Sequence, residues 1–517
     1  MRRIMNIKAF AVAAVAVPAL LLGGSVLSSS QTSGTPRATT VPVPTVPKAT
    51  CGRTDRTEHG LQGRTTPDER SSGDSERGYN CNLELVGQFQ GEGAFSQDGP
   101  GYSGDCAYFA TENRPAQQHP GVVVVDVSDP KHPRPTTYLD DNPAARNPHE
   151  TLKVNAARKL LAVAESNGPG FAVYDLSADC RHPILKSNIT LPGSQAHMGG
   201  WAPDGKTYYV GQNNRGIGGT MPVVDVSDPS NAKLLLTWKF SGDGRPHDVN
   251  LNPAGTRLYS GQAGLFGNTG SSIGPDGLVI LDVSDIQLRR SNPQIRVVSK
   301  LFWDDQGQVE QMYPFTRNGR RYVVSTDESG GAGGAGGLRA ACARGASPFG
   351  YAQIIDITDE TRPHIISKLM LDVNAPANCE ALVGDPPDAG GGTPVYNCER
   401  CAVDRANNPT MMACGYQNAG LRLFDIRDVN HPAEIAYFKP PAVRKTVLRG
   451  SGSWAQGVDR TFDKISGFAR FHTVPAGGTR GRDTQIWFVS DGNGFQVVRF
   501  TDAFTALHKD LFTDAAD

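Results

Sequence analysis

The sequence has almost no net charge, and this excludes two classes of partner. Across 517 residues, 51 Lys and Arg side chains oppose 52 Asp and Glu side chains, which gives a formal net charge of −1 at pH 7. Nucleic acid and anionic membrane surfaces select basic proteins, so we expect neither as a partner. The H-E-x-x-H motif is also missing, so the sequence does not indicate a zinc protease of that type.

A long apolar run occurs once, at the N terminus. Residues 9–26 are nearly all apolar, and they follow three cationic residues, Arg2, Arg3 and Lys8. This pattern predicts an export signal over residues 1–28, and it leaves open whether the segment is cleaved or stays as a membrane anchor. We therefore expect a secreted or cell-envelope protein, and the rest of the chain has no second run of this length.

Cysteines are few but informative. There are nine, and an exported protein normally holds its cysteines in disulfides, so the odd number leaves at least one unpaired. Four of them fall close together: Cys379, Cys398, Cys401 and Cys414. Two disulfides are favoured here over a zinc site, because only one pair has the tight C-x-x-C spacing. Alternatively, Cys379 faces a channel beside Glu380.

The segment after the apolar run cannot form a core. Residues 29–48 are rich in Thr, Ser, Pro and Val, as in TTVPVPTVP, and polar sequence follows. Such compositions favour extended conformations. We therefore predict a stalk and polar linker over residues 29–80, followed by one folded domain over residues 81–517.

One short phrase recurs seven times in that domain. It reads VVVVDVSDP in the first copy and LVILDVSDI in the fourth. The copies lie at residues 122–130, 171–179, 221–229, 278–286, 353–360, 421–428 and 495–502. The β-branched run predicts a buried strand, and its Asp, Ser and Pro predict a turn rather than a calcium loop. In the last copy Arg499 replaces the first aspartate, so we expect that turn to differ.

The phrase resembles the LVIVD repeat of bacterial β-propeller proteins, and the likeness covers residues 83–505. It implies an all-β fold on an exported protein, but no particular reaction. The unit at residues 197–240 contains four strand patterns separated by turn signals, which match one propeller blade. Seven copies predict seven four-stranded antiparallel blades. LELVGQF at residues 83–89 has the pattern of a fourth strand, but the other three strands of a blade do not precede it. We therefore predict that it completes the last blade and closes the ring.

Candidate site residues lie where the first strand of each blade begins, since that strand lines a propeller's central channel. The tripeptides there are PHE, AHM, PHD, VEQ, CEA and FHT, and four contain histidine: His149, His197, His247 and His472. Glutamates occur in the same tripeptides at Glu150, Glu310 and Glu380. Polar side chains also end the second strands, among them Glu165, Glu328 and Gln417. Antiparallel geometry places both sets at one mouth of the channel.

These residues leave three interpretations open. The polar lining fills a water-containing channel, or the four histidines hold a transition metal such as copper or zinc, or the mouth binds a small organic ligand. The function we predict is an exported, monomeric binding or scaffold module that recognises an extracytoplasmic protein or small ligand through this mouth. The alternative is a copper-type oxidoreductase with the histidines as ligands and Glu380 as a base.

Overall fold

Seven four-stranded antiparallel sheets make up the fold, as the repeats predict. The computed structural model describes residues 44–91, 93–94, 99–111, 119–148, 150–212, 219–240, 245–263, 265–266, 272–273, 276–333, 337–387, 393–444, 460–475 and 482–512. The predicted export signal and the first part of the predicted stalk lie outside these residues. First strands of consecutive blades contact one another, so they surround a common axis.

Blades are numbered in chain order, and the strands of each are given from the channel outward. Blade 1 contains Gly101–Ser103, Cys106–Ala110, Val122–Asp126 and Arg134–Leu139. Blade 2 contains Lys153–Asn155, Leu160–Ala164, Gly170–Asp175 and Ile184–Thr190. Blade 3 contains Ala196–Trp201, Thr207–Gln212, Thr220–Asp225 and Lys233–Lys239. Blade 4 contains Arg245–Leu251, Arg257–Ala263, Asp276–Asp282 and Arg296–Trp303.

The last three blades follow the same plan with longer insertions. Blade 5 contains Val309–Arg317, Arg320–Asp327, Ala352–Asp356 and His364–Leu369. Blade 6 contains Arg400–Val403, Met411–Gly415, Leu421–Asp425 and Ala433–Lys439, with Tyr79–Cys81 as a fifth strand. Blade 7 contains Arg470–Pro475, Arg482–Ser490, Gly494–Phe500 and Leu83–Phe89. A separate hairpin pairs Leu265–Phe266 with Ser272–Ile273.

Helices are short and lie in the connections. The α-helices are Pro67–Ser72, Pro143–Arg146, Ser284–Gln287, Gly337–Arg344, Cys379–Leu382 and Asp502–Leu507. The 3-10 helices are Asp74–Arg77, Pro229–Asn231, Gly330–Gly333, Asp372–Asn374, Pro376–Asn378 and Lys509–Leu511. No helix within the described parts of the chain is long and apolar enough to cross a membrane.

The repeated phrase forms the third strand of each blade, and its β-branched residues fill the spaces between blades. In blade 1, Val122 and Val124 pack against blade 2, whereas Val123 and Val125 pack against blade 7. Alternate residues of a strand point to opposite faces of its sheet, so one strand contributes to two hydrophobic layers. This explains why the whole of Val122–Asp126 is buried.

The first aspartate of the phrase, which ends the third strand in blades 1 to 6, makes a turn, as predicted. Its carboxylate accepts the backbone N–H two residues later, for example that of Ser128 on Asp126 at 3.0 Å and that of Thr358 on Asp356 at 2.8 Å. These side-chain bonds replace ladder bonds where the chain leaves the strand. Arg499, which takes this position in blade 7, instead pairs with Glu84 on the closing strand.

The N-terminal strand closes the ring, as the repeat pattern predicts. Leu83–Phe89 pairs antiparallel with Gly494–Phe500 in blade 7. Gly87 of this strand lies against blade 1, where a Cβ atom would stand 2.2 Å from the carbonyl oxygen of Pro130. The first and last parts of the chain therefore share one blade.

Residues 44–80 pack on the ring wherever the predicted stalk and linker is described. The Cys51–Cys81 disulfide ties this segment to the fifth strand of blade 6. Glu58 pairs with the buried guanidinium of Arg422 at 2.7 Å, and the same guanidinium contacts Glu434 at 2.9 Å. A charge pair this deeply buried requires close packing, so the segment is part of the folded domain from residue 44 onward.

We expect Gly87→Ala to destabilise the fold by about 1–3 kcal/mol, because its methyl group would overlap backbone oxygens of blade 1. Gly384→Ala is the control, since a Cβ atom there would meet nothing within 4 Å. Urea unfolding of both variants measures the difference in free energy. Equal stability of the two variants would contradict the close approach of blade 7 to blade 1.

Candidate functional site

Five side chains from five consecutive blades occupy one register position near the start of the innermost strand. In each of these blades the first aspartate of the phrase pairs with a residue of the second strand, and that residue pairs with one at the end of the first strand. Each of the five side chains lies five residues before this last residue. They are Glu150, His197, His247, Glu310 and Glu399 of blades 2 to 6. All five are buried, with at most 4% of the residue surface exposed. We call them, together with Arg400, the channel cluster.

The two histidines lie side by side and each meets a carboxylate. The ring centroids of His197 and His247 are 4.2 Å apart. His197 Nδ1 lies 3.4 Å from Glu150 Oε2, and His247 Nδ1 lies 3.1 Å from Glu310 Oε2. Ligand atoms of Glu150, His197 and His247 all fall within 4.8 Å of one another, a span that one metal ion can bridge.

Arg400 lies among the carboxylates. Its Nη2 is 2.7 Å from Glu150 Oε1 and also contacts Glu310. Its Nη1 lies 3.3 Å from Glu399 Oε2 and donates to the carbonyl oxygen of Ser466 at 3.1 Å. One buried guanidinium therefore faces three buried carboxylates. Its planar fork of donors suits this role better than an ammonium group.

Burial dominates the electrostatics of the cluster. It raises the pKa of Glu310 well above the ordinary value; nearby Glu150 adds to the rise and Arg400 opposes it. Burial also lowers the pKa of His247 to about 3, so this imidazole is neutral at neutral pH. For Arg400, burial would lower the pKa, but the three glutamates raise it above its ordinary value. The cluster thus contains a carboxyl group, that of Glu310, for which burial favours the protonated form. Beside it lies the neutral imidazole of His247, which is the form that binds metal ions.

The hydrogen bonds of His247 identify its free lone pair. Nδ1 lies 2.8 Å from the carbonyl oxygen of Val309, which can only accept, so Nδ1 carries the proton. Nε2 then has the lone pair; it is buried and has no hydrogen-bond partner among the described residues. Glu328 Oε1 is 3.8 Å from it, beyond hydrogen-bonding distance. An imidazole held through Nδ1 by a backbone carbonyl, with Nε2 left unprotonated, is the usual arrangement of a metal-ligating histidine.

Three other predicted residues lie around the cluster or in a hairpin. Glu328 approaches His247, as described, and its side chain is 16% exposed. Gln417 is buried and donates through Nε2 to Glu399. Glu165 accepts the backbone N–H of Gly170 at 2.9 Å, so its carboxylate closes the hairpin of blade 2.

Two of the predicted site residues lie away from the channel cluster, and a third is not among the described residues. Glu380 is exposed on the short helix Cys379–Leu382, because blade 6 begins at Arg400 and not at Cys379. His472 pairs with Gln485, which itself pairs with Arg499 at the phrase position, so His472 lies at the far end of its strand. Its Nε2 faces Asp105 at 3.7 Å. His149 lies outside the described residues.

Eight of the nine cysteines form disulfides. The pairs are Cys51–Cys81, Cys106–Cys180, Cys342–Cys379 and Cys401–Cys414. Cys379 is therefore paired outside the predicted cluster, and the expectation that it faces the channel is wrong. Cys398 is the free thiol; its Sγ is 3.7 Å from Cys401 Sγ. The disulfide leaves too few thiolates in this group for a four-cysteine zinc site.

Two segments match catalytic motifs by spacing but not by structural context. GWAPDGKT at residues 200–207 has the P-loop spacing, yet it joins two antiparallel strands of blade 3, whereas a P-loop leads from a strand into a helix. GSSIG at residues 270–274 has the spacing of a hydrolase nucleophile, yet Ser272 lies in a two-residue strand. Neither segment therefore indicates its usual reaction.

Comparison with known proteins identifies the repeat. The family model of the LVIVD repeat matches residues 103–136 and 205–239, in blades 1 and 3. The chain is a seven-bladed β-propeller that contains LVIVD repeats. No curated protein matches its sequence.

Two solved structures are similar to this LVIVD-repeat propeller in fold. Hydrazine synthase of Kuenenia stuttgartiensis is 15% identical, with a TM-score of 0.46, over 80% of this chain and 96% of that one. A protein from Lactobacillus plantarum is 13% identical, with a TM-score of 0.44, over 77% of this chain and 99% of that one. Likeness at this level concerns the fold alone.

We expect Arg400→Met to lower the free energy of unfolding by about 3–5 kcal/mol, because it leaves buried carboxylates without their counter-charge. Arg362→Met is the control, since the Arg362 side chain is 84% exposed. Chemical denaturation of both variants measures the effect. A change below about 1 kcal/mol in Arg400→Met would show that the guanidinium does not neutralise the cluster.

We expect the thiol of Cys398 to react with a thiol reagent only after unfolding. It is fully buried, and burial raises its pKa well above the ordinary value, so little thiolate forms in the native protein. Spectrophotometric titration with 5,5′-dithiobis(2-nitrobenzoate) should give no thiol under native conditions and one per chain in guanidinium. Two or more thiols after unfolding would contradict the disulfide assignment.

Proposed function

We propose that this LVIVD-repeat propeller is an exported binding module that takes a divalent transition-metal cation in its channel. Glu150, His197 and His247 would be the first ligands, with Glu310 beside them. The observation that carries the proposal is the buried, neutral imidazole of His247, whose Nε2 has no hydrogen-bond partner among the described residues and whose ring lies within one ion's span of Glu150 and His197. Imidazole nitrogen together with carboxylate oxygen suits zinc and copper.

The charge balance of the cluster supports a cationic ligand. Glu150, Glu310 and Glu399 contribute three carboxylates, and Glu328 lies close by. Arg400 opposes them, as does Lys464, whose Nζ is 3.7 Å from Glu399 Oε1. Arg245 and Lys153 add two cations nearby and Asp248 adds one carboxylate, so carboxylates still exceed cations by one. Buried carboxylates need a counter-charge or a proton. A divalent ion would supply that charge.

Export is supported by the sequence and by the disulfides. The N-terminal pattern predicts a signal, and four disulfides indicate an oxidising compartment. We include secretion or envelope attachment in the proposal for these reasons. All ligand atoms come from one chain, so we propose the monomer as the binding unit.

We expect the chelator-treated, full-length protein to bind about one equivalent of Zn²⁺ or Cu²⁺. Replacing His197 or His247 with Ala should weaken the affinity at least about tenfold, because each change removes a ligand atom. Isothermal titration calorimetry with each metal, followed by elemental analysis, makes the measurement. His472→Ala is the matched control, since that imidazole lies at the other end of its strand.

Two outcomes would count against the proposal, and a third would count against its alternative. Absence of stoichiometric binding would reject the metal as ligand. Equal losses in His247→Ala and His472→Ala would show that the ion binds elsewhere. Binding of Zn²⁺ with no binding of Cu²⁺ would argue against the alternative, a copper-type oxidoreductase, and would leave the binding function in place.

A further inference from the structure

A cavity lies in the channel beyond the channel cluster, nearer the far end of the innermost strands. Its volume is about 440 Å³, and the innermost strand of every blade contributes to its wall. One register position accounts for much of this wall, three residues beyond that of the channel cluster. It holds Gly101, Lys153, Gly200, Asn250, Tyr313, Ala402 and Arg470 in blades 1 to 7. Gly101 and Gly200 allow neighbouring innermost strands to approach closely, since a Cβ atom would stand 2.9 Å from the carbonyl oxygen of Leu152 and 2.3 Å from that of Val249, respectively.

Aromatic rings form much of the cavity wall. Tyr102, Trp201, Tyr313, Phe468 and Phe471 come from four of the seven blades and the segment leading into blade 7. Hydrogen bonds hold two of them in place: Trp201 Nε1 donates to the carbonyl oxygen of Lys153 at 2.8 Å, and the Tyr102 hydroxyl donates to that of Phe468 at 2.8 Å. A preformed cavity of this size, with aromatic side chains and a few polar groups in its wall, is typical of a small-molecule site.

The charged groups on the wall have one sign. Lys153 and Arg470 line the cavity, and no acidic residue does so among the described residues. Lys153 Nζ lies 3.9 Å above the ring of Phe468, and Arg470 lies over Trp487 at 4.9 Å. Within the described parts of the chain, neither cation forms an ion pair with an acidic side chain. Burial lowers the pKa of Lys153 to about 8 although Asp248, Glu150 and Glu310 oppose the fall, and an anion bound in the cavity would further favour the charged form.

We propose that this cavity binds a small planar aromatic carboxylate, with the ring between the aromatic side chains and the carboxylate on Lys153 and Arg470. Both halves of such a ligand match what the wall offers: aromatic rings, and two cations that form no ion pair with an acidic side chain among the described residues. The size of the cavity admits one or two fused rings. The inference is independent of the metal proposed for the channel cluster, since none of its residues is a proposed metal ligand.

The test uses 2-naphthoate and its uncharged analogue 2-naphthamide as probes, with chelator-treated, full-length protein. Lys153→Met should weaken naphthoate binding at least about tenfold and change naphthamide binding less than about twofold, because it removes a charge-assisted bond but keeps the cavity. Ala402→Leu should weaken both probes, because it fills the cavity. Lys239→Met, on an exposed outer strand, is the control. Tryptophan fluorescence and calorimetry give the affinities.

Near-ultraviolet circular dichroism checks that each variant is folded. The proposal is overturned if the wild-type protein binds neither probe, or if Lys153→Met and Lys239→Met bind naphthoate equally. It is also overturned if Ala402→Leu retains full affinity for both probes. Since the metal has been removed, none of these results bears on the channel cluster, and the two proposals fail separately.

Discussion

The buried guanidinium of Arg400 joins three of the seven blades, and the segment that leads into a fourth, at the channel axis. It contacts Glu150 from blade 2, Glu310 from blade 5 and Glu399 from its own blade 6, and it donates to Ser466 just before blade 7. Hydrophobic layers hold neighbouring blades together but do not fix the positions of side chains across the channel. The charge contacts fix them, because each carboxylate must face the same cation. Glu150 and Glu310, the carboxylates that meet the two histidines, are therefore both held by this one side chain.

The cluster and the cavity divide the channel into two chemically different parts. Near the start of the innermost strands, carboxylates and imidazoles dominate and the balance is acidic. Three residues further along, the wall is aromatic and its charges are positive. Lys153 couples the two parts, because the charges of four cluster and neighbouring residues act on its ammonium group: Asp248, Glu150, Glu310 and Arg400. A ligand in one part would thus change the electrostatics of the other.

The fold could be predicted from the sequence, and the site only in part, for one physical reason. The same pattern, a buried β-branched strand followed by a polar turn, recurs along the sequence. The repeats, the strand order and the closing strand could all be predicted from it. The site depends on single positions, and blade 6 carries a long insertion. CEA at residues 379–381 resembles the other tripeptides, but Glu399 matches Glu150 in its distance to the phrase aspartate within one residue. Counting back from Asp425 would have found Glu399 and Arg400.

The closing strand also sets an order of events for folding. Leu83–Phe89 leaves the ribosome long before Gly494–Phe500, its partner in blade 7. Until the last strands arrive, the ring stays open and the unpaired edge of the first segment is available to other chains. Contacts between such distant parts of a chain form slowly. An LVIVD-repeat propeller built this way gains its channel, and every ligand position in it, only when its two ends meet.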